Sequence, residues 1–220
     1  NISTDLEIGG VVGRGSGSVF NKIKVTGTIN TLKGQGGIAS SQIGKCGGVC
    51  GSASSVNECE VDMTIHINTQ GSGSTQYIGG CCGSATGTDA IFTGILEVHD
   101  SWQRNMGVMV GGISARGSLL NTISAPSTFY AESNPNWCAD IVAPKTVNSV
   151  SNARYLNGIT SNSGNNGTSI SDDELKSGVS LDGFSSDIWT FTAGGYPRLK
   201  AFIKDKYKLT YMVDGEIWET

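Results

Sequence analysis

A glycine pair recurs four times in the first half of the chain, and this repeat limits the folds that the sequence can adopt. In each copy an apolar residue precedes Gly-Gly, and two apolar or small residues follow. The copies begin 38, 32 and 32 residues apart, a spacing typical of proteins in which each repeat forms one unit of a stack. The pairs are Gly9-Gly10, Gly47-Gly48, Gly79-Gly80 and Gly111-Gly112. We expect them to lie one above another, at turns or where backbones approach closely.

A second shared element follows each glycine pair. It begins 13 residues after the start of the first copy and 11 residues after the start of the next three, at Asn21, Asn57, Asp89 and Asn121. The same spacing predicts a fifth copy at residues 138–143 and 152–156. This copy lacks both glycines, as is common for a terminal repeat.

The segments after the glycine pairs have the pattern of strands. Residues 58–67 alternate between polar and apolar side chains without interruption, residues 22–29 repeat the pattern, and its parity shifts near Gly94, which predicts a bend or bulge. One unit cannot bury its own apolar face, whereas stacked units can. We therefore predict an all-β, right-handed parallel β-helix or β-solenoid of about five coils, with a short C-terminal helix and capping strands. A β-sandwich is the alternative, but it does not explain the 32-residue spacing.

The six cysteines follow the same repeat. Cys50 and Cys82 are expected on adjacent turns, at a separation that a disulfide tolerates. Zinc is a second possibility, because Cys46, Cys50, Cys81 and Cys82 can converge. Cys59 is expected in the apolar position held elsewhere by Ile23, Ile91 and Ile123, as a small hydrophobic side chain would be. We favour buried free thiols and predict no metal and no cofactor.

Two features are relevant to catalysis. The two histidines, His66 and His99, are far apart in sequence and accompany no nucleophile, so they are interpreted as exposed and solvated. Three carboxylates in line on one strand resemble what a polysaccharide-degrading β-helix enzyme needs, but lysines are expected opposite two of them. These carboxylates are Glu58, Glu60 and Asp62, and the opposing lysines are Lys22 and Lys24. We therefore predict cross-turn ion pairs and no catalytic residues.

The string Ile8-Gly-Gly-Val-Val-Gly13, followed by the Asn-containing strand and a Gly/Thr turn, resembles the GLUG repeats of bacterial surface proteins. The resemblance covers roughly residues 8–200. Residues 172–178, 187–191 and 195–200 resemble the usual end of such an array, which implies a short helix, a Trp strand and a final Tyr-Pro strand. Ser171 and Glu174 form a capping-box pattern for that helix. Three aromatic side chains are expected to cover the open end of the solenoid, namely Trp189, Phe191 and Tyr196.

The tail of the chain is similar to the opening of a Listeria–Bacteroides-type repeat, with a strand, a turn at Asp214-Gly215 and a returning strand. We expect a piece of a longer protein, divided into solenoid repeats (1–160), their C-terminal cap (161–203) and the start of a truncated β module (204–220).

The resemblance implies an exported, cell-surface protein with a non-catalytic, adhesin-like binding or stalk role. A carbohydrate-active β-helix enzyme is the first alternative, and a phage or secretion fibre is the second. The expected partner is a host glycan or an extracellular protein, bound by a monomer at residues that the sequence does not identify. A net charge of −4 without a basic stripe argues against nucleic acid, and no apolar run is long enough to cross a membrane.

Overall fold

The computed structural model describes the chain over most of its length and shows an all-β protein with a parallel β-solenoid. The described residues are 6–31, 43–69, 75–100, 108–132, 137–143, 147–157, 167–203, 211–213 and 216–218. In chain order the strands are β1 (Leu6–Gly9), β2 (Val12–Asn30), β3 (Ile43–Gly47), β4 (Cys50–Thr69), β5 (Gln76–Gly79), β6 (Cys82–Phe92), β7 (Ile95–Asp100), β8 (Val108–Gly111), β9 (Ser114–Ser124), β10 (Thr128–Ala131), β11 (Cys138–Ala139), β12 (Val147–Ser151), β13 (Arg154–Leu156), β14 (Thr168–Ile170), β15 (Trp189–Thr190), β16 (Arg198–Leu199), β17 (Tyr211–Val213) and β18 (Glu216–Trp218).

One parallel sheet contains a strand from each repeat. Its order is β1-β3-β5-β8-β11, so strands that follow one another in successive repeats are hydrogen-bonded neighbours. Ile8 pairs with Cys46, Cys46 with Ile78, Ile78 with Val110, and Val110 with Cys138. The predicted stacking of the repeats is confirmed, and so is the fifth copy.

The second sheet has nine strands and forms the rest of each turn. The long strands β2 and β4 pair over almost their full length, and β6 with β7, then β9 with β10, continue the stack. Strands β6 and β7 are separated at Thr93 and Gly94, where the predicted bend occurs. Three turns are covered on both sides, whereas the first is terminal and the fifth is reduced to short strands. About three complete turns therefore replace the five that were predicted.

The glycine pairs lie at the bend between the two sheets. The second glycine of each pair forms part of the bend, and its N–H donates to the backbone of the next turn; Gly48 N, for example, donates to Gly80 O at 3.0 Å. A Cβ atom on Gly80 would lie 2.1 Å from Gly112 O and 2.5 Å from Phe92 Cγ. Close approach between turns, rather than a left-handed backbone, is therefore the reason for glycine here.

A second corner in each turn is formed by a residue with a left-handed backbone. These residues are Lys22 (φ 56°), Glu58 (φ 47°), Asp89 (φ 52°), Asn121 (φ 51°) and Asn152 (φ 50°). The sequence alignment that placed Asn21 and Asn57 at this position was therefore wrong by one residue for the first two repeats. The strand register shifts between Ser52 and Ser55, which offsets the second turn from the third. Asn and Asp tolerate this conformation best, and three of the five corners use them.

The register shift also changes the neighbours of Cys59. It pairs with Ile23 on one side, as predicted, but with Ala90 rather than Ile91 on the other. Ile91 instead pairs with Glu60 on one side and with Ile123 on the other.

Apolar side chains form two cores. The first fills the solenoid and includes Cys46, Val61, Ile65, Ile78 and Val110, all 0–1% exposed. The second lies on the outer face, where a column of side chains from successive turns is covered by residues of the C-terminal segment. The column is Ile91, Ile123 and Leu156, and the covering residues are Leu175, Phe184, Trp189 and Leu199.

The C-terminal segment therefore packs along the side of the solenoid, and the prediction that its aromatic residues cover the open end is wrong. The reason is the outward apolar column, which the misaligned repeats concealed. Trp189 is buried, and its indole N–H donates to Oδ1 of Asp89 at 2.8 Å in the third turn. Phe191 and Tyr196 are half-buried against the same core.

Regular structure in the C-terminal segment is short. Helix α1 (Asp172–Leu175) is a single turn, with the predicted capping box between Ser171 and Glu174. Strands β15 and β16 form an antiparallel pair that joins Trp189 to Leu199, as expected from the Trp and Tyr-Pro strands. Strands β17 and β18 form the antiparallel hairpin expected in the tail, while the turn at Asp214-Gly215 lies outside the described residues.

Candidate functional site

A cleft of about 400 Å³ separates the outer face of the solenoid from the C-terminal segment. Strands β2 and β4 form one wall, the residues after β6 contribute to the floor, and the segment 195–198 forms the other wall. The cleft combines apolar and polar groups. Its polar lining includes Lys24, Thr26, Asp62, Thr93 and Arg198, and its apolar lining includes Val61, Ile91, Tyr196 and Pro197.

Glu60 joins the two walls of this cleft. It was predicted to point into solvent, but it is only 7% exposed. Oε2 accepts from Lys24 Nζ at 3.0 Å and from the Arg198 guanidinium at 3.2 Å, and Oε1 accepts from Leu199 N at 2.7 Å. Charged donors and a backbone N–H thus fix the carboxylate from both sides, so Glu60 holds the C-terminal segment on the solenoid.

The other two carboxylates of the predicted row have different surroundings. Glu58 lies 3.9 Å from Lys22 Nζ, which is the expected cross-turn ion pair, and Asp62 is exposed on the rim of the cleft. A glycoside-cleaving pair needs one carboxyl group able to donate a proton and a second one facing it. Because Glu60 accepts bonds from Lys24, Arg198 and Leu199, the row does not provide such a pair.

Tyr196 forms an aromatic part of the cleft wall and is held in place by helix α1. Its hydroxyl donates to Asp172 Oδ1 at 2.7 Å, and Lys176 Nζ lies 4.6 Å from its ring centroid. Hydrogen bonds from Lys176 and from Tyr196 lower the pKa of Asp172, while burial, together with the Asp172 carboxylate, raises the pKa of Tyr196. The phenol therefore stays neutral and fixed at neutral pH.

The cysteines are all buried as free thiols. Cys50 and Cys82 are directly paired on adjacent strands, as predicted, and Cys59 and Cys81 lie close enough to influence their ionisation. Burial raises the pKa of Cys46 and of Cys59 to about 12 and that of Cys82 to about 11. All six cysteines are described, and no three of their sulfur atoms lie within 4.8 Å of one another. The set therefore does not have the geometry of the zinc site that was weighed from the sequence.

We expect the thiols to resist modification in the folded protein. At pH 8 the raised pKa values keep these thiols protonated, and burial blocks access, so iodoacetamide should label them only as fast as the protein opens. Labelling should accelerate only as the pH approaches 11–12, where the thiolates form. Mass spectrometry after urea denaturation without reductant should count six labels. A count of four would instead indicate a disulfide, for which the directly paired Cys50 and Cys82 are the first candidates.

A third group lies on the polar face formed by β4, β7 and β10, and sequence reasoning did not find it. His66 pairs directly with Glu97 on the next turn, and His99 follows Glu97 by two residues on the same face. The two imidazole rings are stacked with centroids 5.0 Å apart, and His66 Nδ1 lies 3.2 Å from Glu97 Oε2. The interpretation of the histidines as distant and solvated is therefore wrong, because one turn of the solenoid brings them together.

Comparisons with protein-family models, with curated proteins and with solved structures found no match. The cleft, the thiols and the histidine group therefore stand on their geometry. The strand register provides the signal that sequence reasoning needed for the histidines: shifting the second repeat by 31 residues brings His66 level with Glu97, and therefore near His99.

Proposed function

We propose that this chain is a non-catalytic segment of an exported, cell-surface protein and that it binds an extracellular glycan in the cleft beside Glu60. The resemblance to GLUG repeats belongs to the same proposal, as does the right-handed sense of the solenoid. Among the described residues, no helix is both long and apolar enough to span a membrane.

The observation that supports a glycan is the mixed lining of the cleft. A sugar ring presents C–H groups on its faces and hydroxyls around its edge, so it needs an apolar or aromatic surface beside hydrogen-bonding groups. Tyr196 and Pro197 provide the former, whereas Asp62, Thr93 and Arg198 provide the latter. Most binding clefts for small ligands combine an apolar lining with a few fixed polar groups in this way.

The test is to fill the cleft without disturbing the fold. Thr26 is exposed on β2 and lines the cleft, so Thr26→Tyr should obstruct it and lower affinity at least about tenfold, which corresponds to about 1.4 kcal/mol. The measurement is a glycan array with the wild-type chain, followed by calorimetric titration of the best ligand against both proteins. Thr28→Tyr is the matched control, because Thr28 is exposed on the same strand, two residues along, and lies outside the cleft lining.

Three outcomes would count against the proposal. Equal loss in both variants would place the binding surface elsewhere on the sheet. No binding to any glycan would remove the ligand class. Depolymerisation of a polysaccharide by the wild-type chain would favour the enzyme alternative, and Asp62→Asn would then show whether that carboxylate takes part.

A further inference from the structure

We propose that His66, Glu97 and His99 form a binding site for a divalent transition-metal ion of the zinc class. These three side chains offer ligand atoms that all lie within 4.8 Å of one another. Two imidazole nitrogens and one carboxylate oxygen are a donor set that Zn²⁺ accepts, whereas Ca²⁺ and Mg²⁺ prefer oxygen ligands throughout. The site is independent of the cleft and of its proposed ligand.

The solenoid itself positions the three donors. His66 is on β4, and Glu97 and His99 are two residues apart on β7, so all three side chains leave the same face of one parallel pair of strands. Their side chains are 35%, 32% and 36% exposed, which leaves them free to rotate and accessible to an ion. Zinc bonds of about 2.0–2.2 Å place tetrahedral ligands roughly 3.3–3.6 Å apart, so only small rotations are needed.

The neighbouring turn adds two groups around His99. Glu132 Oε2 lies 3.9 Å from His99 Nδ1, and the Tyr130 ring lies 5.0 Å from the imidazole, centroid to centroid. A carboxylate beside a ligating imidazole orients the ring and increases its basicity, which leaves Nε2 of His99 as the metal-binding atom. Glu132 is therefore a positioning residue, and Tyr130 limits the tilt of the ring.

Three protein ligands leave at least one coordination position for water or for a ligand of the ion. The bound ion would also link the second turn of the solenoid to the third, because its ligands come from both. We infer that the ion raises the unfolding temperature of the whole chain, because it binds the folded form and finds no preformed site in the unfolded one.

The experiment is calorimetric titration of the full chain with ZnCl₂, alongside thermal unfolding with and without zinc. We expect one site per chain and a higher unfolding temperature with zinc. His66→Asn and Glu97→Gln should each weaken binding at least about 100-fold, and Glu132→Gln roughly 10-fold to 100-fold. Glu58→Gln is the matched control, since Glu58 is a half-buried glutamate of the same sheet whose ion pair is with Lys22, and it should bind zinc as the wild type does.

Spectroscopy keeps the result distinct from binding at the thiols. The chain has two histidines, so zinc should shift both sets of imidazole NMR signals together. With Co²⁺ as the probe, a sulfur-to-metal charge-transfer band would overturn the assignment. So would zinc binding that survives in His66→Asn with the same affinity, or the absence of any binding by a wild-type chain with its native unfolding temperature.

Discussion

Replacing Gly80 with alanine should lower the free energy of unfolding by at least about 3 kcal/mol. The added Cβ would lie 2.1 Å from Gly112 O and 2.5 Å from Phe92 Cγ. Gly112 is backbone of the next turn and Phe92 is fully buried, so neither contact can be relieved by rotating an exposed side chain. Relief requires the third and fourth turns to separate, which weakens the ladder of hydrogen bonds between them.

The measurement is thermal or urea unfolding followed by circular dichroism. For a chain of this length, 3 kcal/mol corresponds to a fall in unfolding temperature of roughly 6–12 °C. Gly195→Ala is the matched control, because its Cβ would meet only Thr192 O at 3.9 Å, and it should change stability by less than about 0.5 kcal/mol. Equal stability of Gly80→Ala and the wild type would contradict the close stacking at the glycine pairs.

Replacing Glu60 with alanine should release the C-terminal segment from the solenoid at a cost of roughly 2–4 kcal/mol. The change leaves Leu199 N without its acceptor and leaves Lys24 and Arg198 facing each other without the carboxylate between them. Both cationic side chains are partly exposed, so solvent compensates some of the lost attraction and keeps the effect below that of a fully buried pair.

Hydrogen exchange localises this effect. In Glu60→Ala the amides of Leu199 and of Lys200, whose N–H donates to Ile188 O at 2.8 Å, should exchange faster, while the internal strands β4 and β6 keep their protection. Glu58→Gln should leave both regions unchanged, because its ion pair is long and its lysine is exposed. Unchanged exchange at Leu199 in Glu60→Ala would show that the apolar contacts of Trp189 and Phe184 suffice to hold the segment.

The position of the C-terminal segment also determines whether the candidate cleft exists. Its wall of Tyr196, Pro197 and Arg198 faces β2 and β4 only while Glu60 holds Arg198 and Leu199 in place. Glu60→Ala should therefore weaken glycan binding together with docking, whereas Thr26→Tyr weakens binding alone. Zinc binding at His66 should be unaffected by either variant, since that site lies on the internal pairing of β4 with β7.

Much of the solenoid was predictable because its repeat is periodic. The spacing of the glycine pairs placed Ile8, Cys46, Ile78 and Val110 in one column, and the alternation over residues 58–67 identified a long strand with one buried face. The ion pairs of Lys22 with Glu58 and of Lys24 with Glu60 also followed from the repeat.

The errors came from a single residue. A register shift between Ser52 and Ser55 displaces the second turn against the third, and no residue type in that stretch marks it. It places Ile91 opposite Glu60 on the outer face, where a side chain was expected to be solvated. The lateral packing of Trp189 and the meeting of His66 with Glu97 both depend on the same register, so all three were missed together.

The sequence by itself determined that the chain stacks in parallel turns, because a period in the sequence becomes a period in space once strands pair in register. It also determined where glycine is required and that the cysteines are buried as small apolar side chains. Only the tertiary structure decided which side chains of adjacent turns face each other, since a shift of one residue moves a strand's side chains to the opposite face. The cleft at Glu60 and the histidine site consist of contacts between turns, and for that reason they emerged only from the folded chain.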